Sequence, residues 1–139
     1  MSFKATLTIE GKTWRVFSCR YAFQQPTGQS GLPSGRVNGG TVEMEVESTG
    51  DLTLAQWTIA PTMVKDGKIT FYQRDGEQRL KEIEFKTAFM VSYVDTFSNF
   101  GDNAMVERVI ISANQLTITS TSSSGSNVVE HRNLWPPTE

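Results

Sequence analysis

The residue types that carry most enzyme chemistry are scarce in this chain, which has one cysteine, Cys19, and one histidine, His131. A zinc site needs about four Cys, His, Asp or Glu ligands, which this pair cannot supply without carboxylates. A Cys19–His131 dyad would combine a nucleophile with a base. Cys19, however, has the phase of an apolar strand face, where a free thiol is an ordinary core residue. We therefore expect a buried, inert thiol, no metal site and no enzyme.

Three glutamates, Glu43, Glu45 and Glu47, alternate with apolar residues along a predicted strand from Thr41 to Glu47. Carboxylates in a row on one strand face repel one another unless they are solvated or paired. A hydrated outer face explains them most simply, and the sharper interpretation is a face turned to a lumen or to another subunit. General acid–base catalysis would need a cleft and two different environments, which nothing in the sequence indicates.

The longest interruption of the strand pattern is Gln24–Gly40, with five Gly, two Pro and a single charge, Arg36. Loops of this length inside compact domains are usually functional or disordered. Glycines let the backbone around Arg36 approach another surface, and a guanidinium makes forked contacts there. A mobile surface excursion without function is the alternative. We expect the segment 26–40 to be an irregular loop that contributes nothing to the core of its own subunit. Its expected contacts with another molecule come from Gln29, Leu32, Pro33, Ser34, Gly35, Arg36, Val37, Gly39 and Gly40.

The glycine-rich loop does not resemble a nucleotide site, since it lacks a GKS or GKT sequence and leads into a strand instead of a helix. No cofactor is predicted. Around the loop, alternation of apolar and polar residues predicts seven or eight strands. The pattern indicates a mainly β fold, an antiparallel two-sheet barrel or sandwich with one short α-helix. The predicted strands are 3–10, 13–23 with a bulge near Val16 and Phe17, 41–47, 69–74, 80–97, 105–113, one starting at Leu116, and 128–131.

The remaining connections carry turn and helix signals. Residues 11–12 and 65–68 read as turns, and 48–60 is the only helix candidate, capped by Thr49 or Asp51 and ended by Pro61. Within the longest strand, one face is expected to carry Ile83, Phe85, Phe89, Val91 and Tyr93.

Length and charge limit the classes of function. At 139 residues the chain is predicted to be a single domain, 1–139. A net charge of −2 argues against nucleic acid as a partner, because phosphate binding needs a basic face. No apolar run reaches the ~18 residues of a membrane span, so membrane insertion is not expected. The N-terminus alternates like a strand and does not resemble a signal peptide, so folding in a reducing cytoplasm is expected.

Three segments together resemble a known family: MSFKATLTIEGKTWRVFSCRYAFQQPT, LPSGRVNGGTVEMEVEST and KDGKITFYQRDGEQRLKEIEF. In wording and order they are similar to the Hcp/TssD tube protein of the type VI secretion system, in its Bacteroidetes form, nearly as far as Ala113. The resemblance implies a β-barrel of two sheets with one helix and no catalysis. It also implies that six subunits close into a ring and that rings stack into a hollow tube.

The same resemblance implies the partners. The tube is capped by a spike protein, wrapped by a contractile sheath and built on a baseplate. It assembles in the cytoplasm and is then ejected out of the cell or into a target cell, with effectors in its lumen. Loop 26–40 corresponds to the family's loop that reaches toward the neighbouring ring. The C-terminal Trp135 is expected to pack on its own barrel or on a neighbour.

Two alternatives remain at the level of sequence. A monomeric ligand-binding β-sandwich, for sugars or peptides, would use the loop as the lip of its site. A phage-type tail tube protein would share the tube assembly, so particle size would not separate it from the first hypothesis.

Overall fold

The computed structural model describes residues 4–33, 35, 37–73, 79–99, 101, 105–122 and 125–133. In this part of the chain the backbone forms strands joined by mostly short connections, with one short helix. The elements are β1 (Lys4–Ile9), β2 (Lys12–Tyr21), β3 (Thr41–Glu47), α1 (Thr53–Ile59), β4 (Lys65–Tyr72), β5 (Arg79–Phe97), β6 (Met105–Ser122) and β7 (Gly125–Arg132).

The strands pair antiparallel in the order β3-β2-β1-β4-β5-β6-β7. An additional pairing of β3 with β6 closes the first six strands into a barrel and leaves β7 outside it. The mainly β class with one short helix is therefore confirmed. The predicted division into two sheets is not confirmed, because the pairings join all seven strands into one sheet.

The β1–β2 connection is a two-residue turn. Ile9 lies opposite Lys12, and both central residues have positive φ, 52° at Glu10 and 77° at Gly11. Two positive φ values are typical of the type I′ turn, whose twist matches the flanking strands. The predicted turn, 11–12, was one residue too late. The predicted bulge in β2 is confirmed, since the register against β3 shifts between Val16 and Ser18.

Several predicted boundaries in the second half were wrong. Residues 65–68 are not a turn, because they begin β4 and pair with β5 across an irregularity between Lys65 and Gly67. The segments predicted as strands at 105–113 and from Leu116 form one strand, β6. β5 supports this length, because it pairs with β6 from one end to the other. A polar stretch that would end an isolated strand continues here because its backbone hydrogen bonds are satisfied by β5.

The core lies inside the barrel and is filled from every one of its six strands. Val42, Met44 and Val46 of β3 all point inward, in agreement with the alternation. The largest fully buried side chains are Trp14, Trp57, Phe85, Leu7, Ile9, Leu54, Ile69, Ile83, Ile111 and Leu116, together with Val42 and Val46.

Helix α1 is shorter than predicted and packs on the barrel through Leu54 and Trp57. The Trp57 ring stacks on Phe85 with 6.4 Å between ring centroids, and its Nε1 donates to the Met63 carbonyl at 3.0 Å. Leu52 occupies the N-cap position and makes no side-chain cap. The capping bond comes instead from Asp51, whose Oδ1 accepts from the Thr53 amide at 2.7 Å.

Candidate functional site: the loop and the open sheet edge

The two residues considered for nucleophilic chemistry have separate environments. Cys19 was expected to be buried, but it is half-buried and packs against the core. Burial raises the pKa of its thiol to about 11, which keeps the thiol protonated and unreactive near neutral pH. The described partner of His131 Nε2 is Asn133 Oδ1, at 3.2 Å. Among the described residues no group of three or more His, Cys, Asp or Glu could hold a metal ion.

The loop between β2 and β3 lies outside the named strands, as expected, and is paired at its neck. Gln24 and Asn38 exchange both backbone hydrogen bonds, at 2.9 and 2.6 Å. Further out, Thr27 bridges Pro33, and the Gly28 amide donates to the Leu32 carbonyl at 2.9 Å. The loop is thus a narrow hairpin-like projection. Its neck closes because these backbone groups pair with each other once the strands on either side are fixed.

The base of the loop also belongs to the fold, contrary to expectation. The Ala113 amide donates to the Gly40 carbonyl at 2.7 Å. Gly40 has φ of +93°, and a Cβ there would lie 2.5 Å from the Ala113 carbonyl oxygen. A Cβ on Gly39 would lie 2.5 Å from the Phe23 ring. Both glycines therefore permit the close packing of the loop base.

The tip of the loop projects away from the barrel. Leu32 is 68% exposed, and Gln29 and Gly35 are also exposed. Val37 is 37% exposed. Ser34 and Arg36 lie outside the described residues, as does the predicted tail contact Trp135.

The three glutamates of β3 lie on the outer face of the barrel. Glu43 and Glu45 are half-buried and Glu47 is exposed. Glu43 Oε2 lies 3.5 Å from the Arg20 guanidinium on β2. Glu45 lies opposite Arg108 in the register with β6. These carboxylates sit in a sheet face with basic neighbours on both sides, which relieves their mutual repulsion.

The C-terminal half of β5 has an edge that sequence reasoning did not find. β4 pairs with β5 only as far as Ala88, whereas β6 pairs with it as far as Phe97. No described strand therefore pairs with the other edge of β5 from Val91 to Phe97. Three apolar side chains in this stretch are exposed, Val91 to 57%, Val94 to 50% and Phe97 to 68%. Only the register could reveal this edge, because the sequence of β5 is strand-like throughout.

A buried carboxylate, Glu107, was also missed. Its side chain is 2% exposed, and Oε2 accepts from the Ser48 hydroxyl at 2.8 Å. Oε1 has no partner of good geometry among the described residues. Burial raises the pKa of Glu107, and the charge of Asp95 on β5 raises it further, while the Ser48 hydrogen bond opposes the rise. The sequence did contain an indication of this burial, because Glu107 lies two and four residues before the apolar Val109 and Ile111 and so shares their strand face.

Tyr93 lies beside this carboxylate. Burial, followed by the nearby charges of Glu107 and Asp95, raises the pKa of the Tyr93 phenol to about 12. The hydroxyl therefore stays protonated at neutral pH.

Together these features define a class of protein. It is a closed antiparallel barrel of six strands with a seventh strand outside, one short helix, a projecting β2–β3 loop and one apolar open edge. The family model described as Hemolysin coregulated protein Hcp (TssD) matches residues 1–136. The chain belongs to the Hcp (TssD) family.

Solved structures give the same answer. Hcp1 from Flavobacterium johnsoniae is 34% identical to this chain, with a TM-score of 0.83 over 94% of this chain and 100% of that one. Hcp1 from Salmonella typhimurium is 15% identical, with a TM-score of 0.79 over 95% of each chain. The tube-terminating cap of the anti-feeding prophage is 16% identical, with a TM-score of 0.59 over 86% of this chain and 90% of that one. The last two show the fold alone.

A comparison with curated protein sequences found no match. Proteins of the Hcp family are secreted structural tube components of type VI secretion systems and are not known as enzymes. Family membership supports the same class for this chain. In the part of the chain that the structure describes, no helix has the length and apolar character to cross a membrane.

Proposed function

We propose that this chain is the repeating subunit of a type VI secretion inner tube, with six copies closing into a hollow ring and rings stacking head to tail. The tube assembles in the cytoplasm on a baseplate, carries a spike protein at its tip, and is ejected when the surrounding sheath contracts. Effectors travel in its lumen. The subunit contributes assembly surfaces and no catalysis.

The observation that carries this proposal is the open edge of β5 from Val91 to Phe97. An exposed strand edge with apolar side chains is a template for pairing with another chain, and natural proteins cover or charge such edges. Here the edge carries aspartate only at Asp95 and otherwise presents apolar or neutral side chains. A head-to-tail contact between copies would cover the edge, and such a contact gives a ring when its rotation closes.

Stacking follows from the difference between the two ends of the barrel. Thr41 at the start of β3 lies opposite Ser112, and Glu47 at its end lies opposite Val106. The loop therefore projects from one end of β3, while the β5–β6 connection lies beyond the other end, about 20 Å away along the strand. Two unlike ends allow a heterologous contact that repeats without closing, which is the geometry of a filament.

Within this function, the residues chosen from the sequence keep their proposed roles. The loop makes the ring-to-ring contact through its tip and Arg36, and Trp135 contacts a neighbouring surface. Glu43, Glu45 and Glu47 line either the lumen or a subunit interface.

The experiment compares the particle mass of the wild-type protein with that of Val94→Lys. Light scattering at micromolar concentration should give several times the subunit mass of 15.5 kDa for wild type, and negative-stain images should show rings. Val94→Lys places a charge on the open edge and should leave a folded monomer. Ile59→Lys is the matched control, because Ile59 is 80% exposed on α1 and distant in sequence from that edge.

A wild-type monomer at all concentrations would overturn the proposal and favour a monomeric ligand-binding sandwich. Rings that survive Val94→Lys would show that another surface closes the ring. Loss of rings in Ile59→Lys as well would mean that surface lysines disrupt assembly nonspecifically.

A further inference from the structure

The end of β7 contacts both sides of the projecting loop. Phe23 precedes the loop and Gly39 follows its neck, and the His131 ring lies against both. The centroids of the Phe23 and His131 rings are 5.2 Å apart at an interplanar angle of 59°. A Cβ added to Gly39 would lie 3.1 Å from His131 Cδ2. The imidazole therefore packs into the junction where the two sides of the loop meet the barrel.

Asn133 ties the same junction together by hydrogen bonds. Its Nδ2 donates to the Gly39 carbonyl at 3.1 Å and to the Ala113 carbonyl at 3.0 Å. Both amide protons are then used, which assigns Oδ1 as the atom that faces His131. His131 Nε2 consequently carries the proton that it donates to Oδ1, at 3.2 Å. The backbone of Asn133 is fixed too, because its amide donates to the Asn114 carbonyl at 2.7 Å.

These contacts indicate a structural role for β7 other than filling the core. The strand lies outside the barrel and pairs only with β6 among the described residues. Residues 127–130 are all exposed, so this part of β7 adds no side chain to the core. The half-buried residues at its end, His131 and Asn133, are those that contact the loop. β7 thus acts as an external brace that ends on the base of the loop.

We propose that His131 and Asn133 are positioning residues that clasp the base of loop 26–40 to β6 and β7 and so fix the direction in which the loop projects. The contacts of His131 and Asn133 with the loop base and β6 support this clasp. Its consequence, that the fixed direction is needed for ring stacking, rests on the proposed function.

The clasp acts beyond the neck pairing. The Gln24–Asn38 bridge holds the two sides of the loop together, but by itself it would let the closed hairpin swing about the β2 and β3 ends. The bonds from Asn133 attach the Gly39 side to β6, and the His131 ring fills the space on the Phe23 side. Removal of the Asn133 amide leaves two carbonyls without their side-chain donor, which favours local opening of the base.

The test is backbone hydrogen exchange of the purified protein, with readout in peptides covering residues 24–40. Asn133→Ala should speed exchange there about tenfold or more, a change that corresponds to ~1.4 kcal/mol of lost local stability. His131→Phe keeps a ring against Phe23 and loses only the donor, so its effect should be smaller. Peptides of β1 and β4 should exchange as in wild type.

Arg132→Ala is the matched control. Arg132 lies between the two clasp residues, but its guanidinium contacts Gln115 at 2.9 Å and Glu130 at 3.7 Å and is largely exposed. Loop exchange should be unchanged in this variant. If Asn133→Ala fails to fold, Asn133→Asp keeps the size and Oδ1 acceptor, removes the two donors, and provides the same comparison.

Electron microscopy of the same variants tests the consequence. Asn133→Ala should form rings that do not stack into tubes under conditions where wild type does. Unchanged loop exchange in Asn133→Ala and His131→Phe would overturn the clasp. Faster exchange with normal tubes would overturn its role in direction. Wild type that forms no tubes would contradict the proposed stacking function, and the exchange data would still decide the clasp.

Discussion

Glu107 illustrates how a single residue acquires its properties from burial. The carboxyl is enclosed in the barrel, where it accepts from the Ser48 hydroxyl and interacts with Tyr93 and with Asp95 on the paired strand. A charged carboxylate in such a place is costly, so the folded protein binds its proton more tightly than the unfolded chain does. The stabilisation that Glu107 contributes is therefore fully present below the pKa that this residue has in the unfolded chain. It is lost as pH rises through the higher pKa of Glu107 in the folded protein.

We predict that Glu107→Gln stabilises the protein at pH 8, raising its melting temperature by about 2–4 °C. Glutamine keeps an oxygen to accept from Ser48 and carries no charge to bury. The difference between variant and wild type should shrink as pH falls through the raised pKa of Glu107, because the carboxyl then becomes protonated. Thermal unfolding followed by circular dichroism from pH 4.5 to 8 measures both effects.

The control for this prediction is Glu43→Gln on the outer face, which should show little change at any of these pH values. Asp51 does not confuse the comparison. The Thr53 and Lys12 interactions lower its pKa to about 2, so stability from Asp51 is present above the unfolded pKa and is lost only at more acidic pH. A variant Glu107→Gln that is less stable than wild type at pH 8 would mean that the carboxylate is stabilising in its charged form.

At the scale of elements, the loop between β2 and β3 separates into two parts with different roles. Its neck is closed by the pairing of Gln24 with Asn38, and its base bonds to Asn133 and Ala113 through the Gly39 and Gly40 carbonyls, whereas its tip projects with Leu32 exposed. Substitutions in the base should therefore affect local stability, and substitutions in the tip should affect only contacts with other molecules. In sequence, Arg36 is the single charged residue of 24–40.

We predict that Arg36→Ala leaves the fold and the rings intact and sharply reduces stacking into tubes and secretion. Surface substitutions of this kind usually change stability by no more than about 0.5 kcal/mol, while a guanidinium lost from an interface removes forked hydrogen bonds. The melting temperature reports on the fold, electron microscopy on rings and tubes, and an assay of the culture medium on secretion.

Arg79→Ala provides the charge-matched control, because the Arg79 side chain is 61% exposed and lies outside the loop. Shortening 29–34 is a less specific test than the substitution, since it also removes Pro33, which bridges Thr27. A steep drop in melting temperature for Arg36→Ala would place this arginine in the fold. Normal secretion would mean that the loop is an excursion without function.

The long strands show how two elements adjust to each other. β5 was expected to keep Ile83, Phe85, Phe89 and Val91 on one face, but the buried residues after Phe85 are Ala88 and Met90. The inward face changes beside Thr87, which has φ of 52°. β6 changes its inward face at the same level, between Ala113 and Leu116. Because the register between the strands stays constant there, both strands must turn together to follow the barrel wall.

At the scale of the whole molecule, the glutamate face of β3 is one outer wall of the barrel. If this wall is hydrated, we predict that changing Glu43, Glu45 and Glu47 together to Gln leaves fold and rings intact. Exposed ion pairs such as Arg20–Glu43 contribute about 0–1 kcal/mol, and the apolar side of β3 is unchanged. Light scattering and thermal unfolding of the triple variant measure the outcome.

Changing Glu82 and Glu84 on β5 to Gln gives the matched control on another part of the sheet. Loss of rings in the β3 variant alone would show that its carboxylates are paired across a subunit interface. Loss of folding would show that the basic neighbours on β2 and β6 are required to hold the sheet together.

The sequence by itself determined the strand content, the inward face of β3, the bulge in β2 and the position of the loop. Each of these depends on local properties, since side-chain direction alternates along a strand and glycine and proline interrupt it nearby. The phase of Glu107 also pointed to a buried acid, although its meaning was missed. The same local rules misplaced the boundaries at 65–68 and 114–115, where pairing with distant partners extends a strand beyond its intrinsic tendency.

Only the tertiary structure decided the contacts between distant segments. β3 closes the barrel on β6, and Asn133 reaches Gly39 across 94 positions of sequence. β4 ends its pairing at Ala88 and leaves the rest of the β5 edge open. None of these has a local pattern, because a strand presents the same alternation whether its edge is paired, free or covered. The backbone hydrogen bonds that distinguish these cases form only when the whole sheet assembles.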